Sequence, residues 1–105
     1  MEDRRIFERF PISIPVRYLD PKGSQEGSAQ TVDLSAKGVG LLTNKPLPQN
    51  MPIEMWLKVP DKGEPLYARG EVSWLKNIGE NEYRAGVNLE KADLMGFSRV
   101  WRLFD

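Results

Sequence analysis

The 105-residue sequence contains neither cysteine nor histidine. Without cysteine there is no disulfide framework, no thiolate zinc site and no thiol nucleophile. Without histidine the chain lacks the commonest general base and the commonest transition-metal ligand. It also lacks net charge, because fifteen Lys and Arg cancel fifteen Asp and Glu. A duplex-DNA binder normally shows a basic excess, so DNA or RNA is not an expected partner. No apolar run approaches the roughly 18 residues of a membrane span, and no apolar segment follows the charged start Met1-Glu2-Asp3-Arg4-Arg5. Membrane insertion and export are therefore not expected, and a cytoplasmic location is. The sequence offers no nucleophile with a matching base, no metal-ligand cluster and no glycine-rich phosphate loop. Neither an enzyme nor a metal site is expected.

What remains is ordinary for a soluble globular chain: 40% hydrophobic and 29% charged residues, enough for one small core. Residues 1–105 read as a single domain, with an N-terminal arginine arm (1–10), a strand-rich body (11–89) and a C-terminal helix (90–105). Ile12, Ile14, Val16 and Tyr18 alternate with polar or exposed-type residues, the period of a half-buried strand. Pro15 cannot donate to a ladder, which places an edge or a bulge there. A second strand is expected over Ala29–Leu34, a third over Gly38–Thr43 and a fourth over Ile53–Val59. The fifth presents Leu66, Ala68, Gly70, Val72 and Trp74 on one face, with Gly70 marking a bend or bulge. Asn77–Asn81 reads as a polar loop, and Tyr83–Leu89 as the sixth strand.

After Leu89 the period changes. Leu94, Phe97, Trp101 and Phe104 recur at three- and four-residue intervals, a helical stripe, while Arg99 and Arg102 near its end suit the helix dipole. Short strands separated by turn signals, with one terminal helix, predict a mainly all-β, small antiparallel barrel whose helix covers an open end or seam. Trp56 falls on the polar face of its strand. The acids Asp61 and Glu64 lie in a turn-like stretch and read as solvated.

One constellation carries chemistry. In Arg4-Arg5-Ile6-Phe7-Glu8-Arg9, Arg5 and Arg9 stand four apart and share a face on either a helical turn or a strand. Downstream, Asp33-Leu34-Ser35-Ala36-Lys37-Gly38 puts Asp33 and Ser35 two apart, on one side of an extended backbone. Gly38 tolerates positive φ or close approach of a ligand. Each half has a plain structural reading: arginines on a solvated face, and Asp, Ser and Gly as turn residues. Together they form an anion clamp. Trp74 shares an alternating face with Val72, which suits core packing as well as it suits a stacking surface.

With two arginines separated by three residues (Arg5, Arg9), followed by Asp-x-Ser-x-x-Gly (Asp33, Ser35, Gly38), the chain resembles the PilZ domain family. The Gly70-Glu71-Val72-Ser73-Trp74 and Ala85-Gly86-Val87 stretches fit the same pattern. The resemblance implies a six-stranded antiparallel β-barrel with a C-terminal α-helix and no cofactor. The implied ligand is the bacterial second messenger cyclic di-GMP. It further implies that Arg5 and Arg9 grip phosphate and guanine edges, that Asp33 and Ser35 hydrogen-bond a guanine, and that Gly38 lets the backbone close in. Arg4, just before the motif, is the position at which some relatives bind a self-stacked pair of ligands rather than one. Trp74 would stack on a base.

The function implied is a receptor or adaptor that changes conformation on binding and so regulates an unidentified partner protein. The rival expectation is a PilZ-fold protein–protein interaction module that does not bind the nucleotide. Single-stranded nucleic-acid binding needs a basic groove with aromatics, which zero net charge disfavours.

Overall fold

A computed structural model describes residues 9–23, 25–90 and 94–104. Seven antiparallel strands follow one another: β1 (Phe10–Pro11), β2 (Pro15–Leu19), β3 (Glu26–Leu34), β4 (Gly38–Thr43), β5 (Pro52–Leu57), β6 (Leu66–Gly79) and β7 (Glu82–Leu89). A helix, α1 (Leu94–Trp101), and a 3-10 turn (Arg102–Phe104) complete the described chain. The sheet runs β1-β3-β2-β5-β6-β7-β4, and β4 pairs back onto β3, so six strands close into a barrel; β1 lies on the flank of β3 that β2 occupies, in line with β2.

Alternation puts one apolar set inside. Val16, Tyr18, Leu34, Val39, Leu41, Ile53, Met55, Leu57, Val72, Ala85 and Val87 are buried in one core. Phe97, Val100 and Trp101 of α1 join the same cluster, and the Phe97 and Trp101 rings meet edge to face at 6.1 Å. The side chains of Leu94 and Phe104, the other two members of the expected stripe, lie outside the described residues, as does Asp93.

The single strand expected from Ile12 to Tyr18 is divided. β1 ends at Pro11 and β2 begins at Pro15, and Thr31 of β3 joins the two across the gap. Its buried hydroxyl donates to the Ile12 carbonyl and accepts from the Ile14 N–H at 2.8 Å. The Thr31 N–H donates to the Ile14 carbonyl at 3.0 Å. Proline at both ends of the gap removes ladder donors, and the side-chain hydroxyl replaces them. The loop expected at Asn77–Asn81 is largely strand. β6 continues to Gly79 through a bulge at Ile78, and Glu80 and Asn81 alone turn into β7. Asn81 takes the left-handed φ of 56° that Asn adopts more readily than most residues.

Asp61 is exposed, as expected, but it is not unpartnered. In the β5–β6 connection it accepts a forked pair of hydrogen bonds from Arg99 of α1, both at 2.7 Å, and a third from the Gly63 N–H at 2.9 Å. Arg99 thereby pins the helix to that end of the barrel instead of serving only the helix dipole. Trp56, expected on a polar face, leans on Tyr67 with ring centres 5.5 Å apart.

Thr31→Val keeps the volume but strips both backbone groups of their partner. It should cost about 2 kcal/mol in urea denaturation, the usual penalty for orphaned buried polar groups. The hydrogen bonds from Arg99, then that from Gly63, hold the Asp61 carboxyl well below the usual carboxylate range. A depressed folded-state pKa contributes stability that is present above the unfolded value of about 4 and is lost as pH falls toward the folded one. Melting temperature compared with that of Asp61→Asn should therefore differ by a constant amount above about pH 5 and converge in stronger acid.

Candidate functional site

Asp33 and Trp74 reach the same place by the same device. On β3, Thr31 faces the core; Leu41 pairs with Thr31 and Gly40 with Asp33, leaving Val32 as an extra residue. The insertion reverses the alternation, so Leu34 is buried and Asp33 turns outward. On β6, Val72 faces the core; Val87 pairs with Val72 and Gly86 with Trp74, leaving Ser73 as the extra residue. Trp74 consequently does not share the face of Val72: it is 43% exposed while Val72 is fully buried. Ser73 steadies this bulge by donating its hydroxyl to the Gly86 carbonyl at 3.1 Å.

Register then lines these residues up. Asp33 pairs with Gly40, Gly40 with Gly86, and Gly86 with Trp74, so one row crosses four strands on the outer wall. Both central members are glycines for a steric reason. A Cβ on Gly40 would stand 2.5 Å from an Asp33 carboxylate oxygen, and a Cβ on Gly86 would collide with the Trp74 indole nitrogen. The paired glycines let a carboxylate and an indole lie against the barrel wall side by side, with the indole partly open to solvent. Neither glycine stands out by motif spacing. The available signal was a glycine in the outward slot of an otherwise alternating strand, as in Gly38-Val39-Gly40-Leu41 and Ala85-Gly86-Val87.

Arg9 completes the row. β1 pairs Phe10 with Leu34 and Pro11 with Asp33, which delivers the preceding residue next to the motif. Arg9 Nη1 donates to Asp33 Oδ1 at 2.6 Å, both side chains partly exposed. Its Nη2 lies over Gly38, 2.9 Å from where a Cβ would be. Gly38 therefore admits the guanidinium by close approach, not by a left-handed backbone, since no described glycine has positive φ.

Ser35 plays a different part from Asp33. It is buried, and its hydroxyl accepts from the N–H groups of Lys37 and Gly38 at 3.3 and 3.2 Å. The Ser35 N–H donates to the Gly38 carbonyl at 2.9 Å, closing the β3–β4 turn. The structure thus brings together Arg9, Asp33, Gly38 and Trp74, with Ser35 shaping the turn beside them. Arg4 and Arg5 lie outside the described residues. Among the described residues no group of three or more Asp and Glu is placed to hold a metal ion, and no helix is long and apolar enough to cross a membrane.

Two comparisons with known proteins agree with this architecture. The PilZ domain family model matches residues 3–103. No curated protein gives a match. Among solved structures, the PilZ domain of CeSA from a cellulose-synthesising bacterium is similar, with a TM-score of 0.65 and 24% identity over 91% of this chain and 93% of that one. The inhibitor of motility MotI/DgrA of Bacillus subtilis is also similar, with a TM-score of 0.68 and 11% identity over 98% of this chain but 53% of that one. PilZ domains are binding and adaptor modules rather than catalysts, in keeping with a site built from an ion pair, glycines and an indole. With a family model spanning all but the extreme ends of the sequence and a six-stranded barrel carrying one short C-terminal helix, this chain belongs to the PilZ domain family.

Proposed function

We propose that this domain is a cyclic di-GMP receptor that binds its ligand on the outer strip between Arg9 and Trp74 and thereby changes the surface a partner protein reads. The observation that carries the reading is the convergence of a guanidinium, a carboxylate and a half-open indole on a floor of paired glycines. Cyclic di-GMP is a dianion with two guanines. It calls for planar forked cations on phosphate, an acceptor for guanine N–H groups and an aromatic face for stacking. Arg9, Asp33 and Trp74 supply one of each.

Roles follow from this chemistry. Arg9 binds phosphate or the guanine Hoogsteen edge, with Arg5 as its companion from the family motif. Asp33 accepts from the guanine N–H pair, a feature adenine lacks. Ser35 holds the turn that presents Asp33 and Gly38. Trp74 offers its open face to a base, and Arg4 governs whether one ligand or a stacked pair is held. In the free state Asp33 serves as counter-ion to Arg9, so ligand binding exchanges an internal ion pair for external ones. Because Arg9 sits beside β1, that exchange repositions the N-terminal arm, and the rearranged arm is the signal. The rival reading, a module that contacts proteins without the nucleotide, draws on the Trp56–Tyr67 pair, which stands partly exposed on β5 and β6.

Calorimetric titration with cyclic di-GMP, with GTP as competitor, separates the two. Saturable binding should weaken by about 2 kcal/mol in Arg9→Ala, which removes a charge-assisted contact. A folded wild-type protein that shows no binding by calorimetry or by amide shift perturbation would reject the receptor and leave the interaction module. Gly86→Ala should lift the indole from the wall and weaken binding about tenfold, within the range of one lost base–aromatic stack. Its melting temperature should barely change, because Trp74 has solvent to move into. Unaltered affinity in Gly86→Ala would remove Trp74 from the site.

A further inference from the structure

Two cations outside the motif share the same wall. Arg84 of β7 pairs in register with Lys76 of β6 on one side and with Leu42 of β4 on the other. Ala85 and Val87 are core residues and Leu75 packs against the core, so Arg84 and Lys76 point outward, as Gly86 and Trp74 do. They form the next row along the strip, two residues or about 7 Å beyond the Gly86–Trp74 row. The Arg9 guanidinium lies over Gly38, whose register partner is Asn88, on the opposite side of that row. Cations thus stand at both ends of the glycine floor.

Among the described residues neither Arg84 nor Lys76 forms an ion pair or a hydrogen bond through its side chain. Glu82, the neighbouring acid on the outer face of β7, turns over Gly79 instead, its Oε2 3.6 Å from where a Gly79 Cβ would stand. Like charges directly opposite on paired strands repel each other. Every other described guanidinium in contact with a carboxylate already has its partner: Arg9 has Asp33, Arg69 has Glu90 and Arg99 has Asp61. A bare Arg–Lys pair beside a partly open indole is an arrangement that an anion would relieve.

We infer that Arg84, assisted by Lys76, binds a phosphate of the nucleotide whose base stacks on Trp74. This rests on the receptor reading above and adds a ligand-contacting pair to it. A nucleotide's phosphate lies one ribose away from its base, a span that the two-residue step from Gly86 to Arg84 matches. The half-buried Arg84 provides the forked contact and the exposed Lys76 a point charge beside it.

The test is titration with cyclic di-GMP at several salt concentrations for the wild type, Arg84→Gln, Lys76→Gln, Arg9→Ala and, as a distant control in the β2–β3 turn, Lys22→Gln. Amide spectra establish that each variant is folded. Arg84→Gln should bind at least tenfold more weakly and with a shallower salt dependence, since one screened charge contact is gone. Lys76→Gln should lose severalfold, and Lys22→Gln should match the wild type. If Arg84→Gln keeps wild-type affinity or salt slope while Arg9→Ala loses binding, the phosphate role of Arg84 is overturned and the receptor stands. If the folded wild type binds no cyclic di-GMP, both fall together.

Discussion

A strand in a closed barrel must keep its apolar side chains inside on both sides of any register shift, so each inserted residue reverses which of its polar neighbours face out. Here that constraint operates twice. The insertion at Val32 turns Asp33 outward while returning Leu34 to the core, and the insertion at Ser73 does the same for Trp74 and Leu75. Because β3 and β6 are separated by β4 and β7, the two reversals meet across the Gly40–Gly86 pair. Without the bulges the carboxylate and the indole would fall on the buried face, where the carboxylate would lose its solvent at high cost and the indole would be closed to a ligand. The outer strip is therefore a by-product of how the barrel accommodates two extra residues.

Burial and exposure divide the polar groups of the motif accordingly. Ser35 and Thr31 are buried and fully engaged with backbone, one closing the β3–β4 turn and the other bridging β1 to β2. They fix the two chain segments between which Arg9 and Asp33 meet. Those two remain partly solvated, and their pair is one that an incoming ligand can exchange. At the barrel end that also carries the β3–β4 turn, the Asp61–Arg99 fork ties the helix to the β5–β6 connection.

Much of this was legible in the sequence, and the exceptions have identifiable causes. Gly38–Thr43 was read to the residue, and the fifth and sixth strands were placed correctly at Leu66 and near Leu89, because strict alternation with Gly and Pro punctuation leaves little ambiguity. The arginine pair and the Asp-x-Ser-x-x-Gly spacing identified the family. Asp33 was grouped with Ser35 although the chain leaves the strand after Leu34 and alternation stops applying, whereas Trp74 was assigned the face of Val72 because alternation counts residues and cannot register an insertion that only the partner strand reveals. The same blindness made a loop of Asn77–Asn81, where a bulge at Ile78 lets β6 run on to Gly79. Asp61 went unrecognised because its partner lies 38 residues away on the helix, a separation no local pattern spans. The outward glycines Gly40 and Gly86 carried a signal that is clear only once the register is known.

Closure of the ring has a consequence for self-association. One open edge is β1, a two-residue strand whose second member is Pro11 and so has no N–H to offer. β6 outruns β5: beyond Glu71 its strand pairs are with β7 alone, so one flank of its last seven residues lies open. Bulges at Ser73 and Ile78 and the outward Lys76 guard that open flank, devices that keep a sheet edge from edge-to-edge pairing with a neighbouring copy.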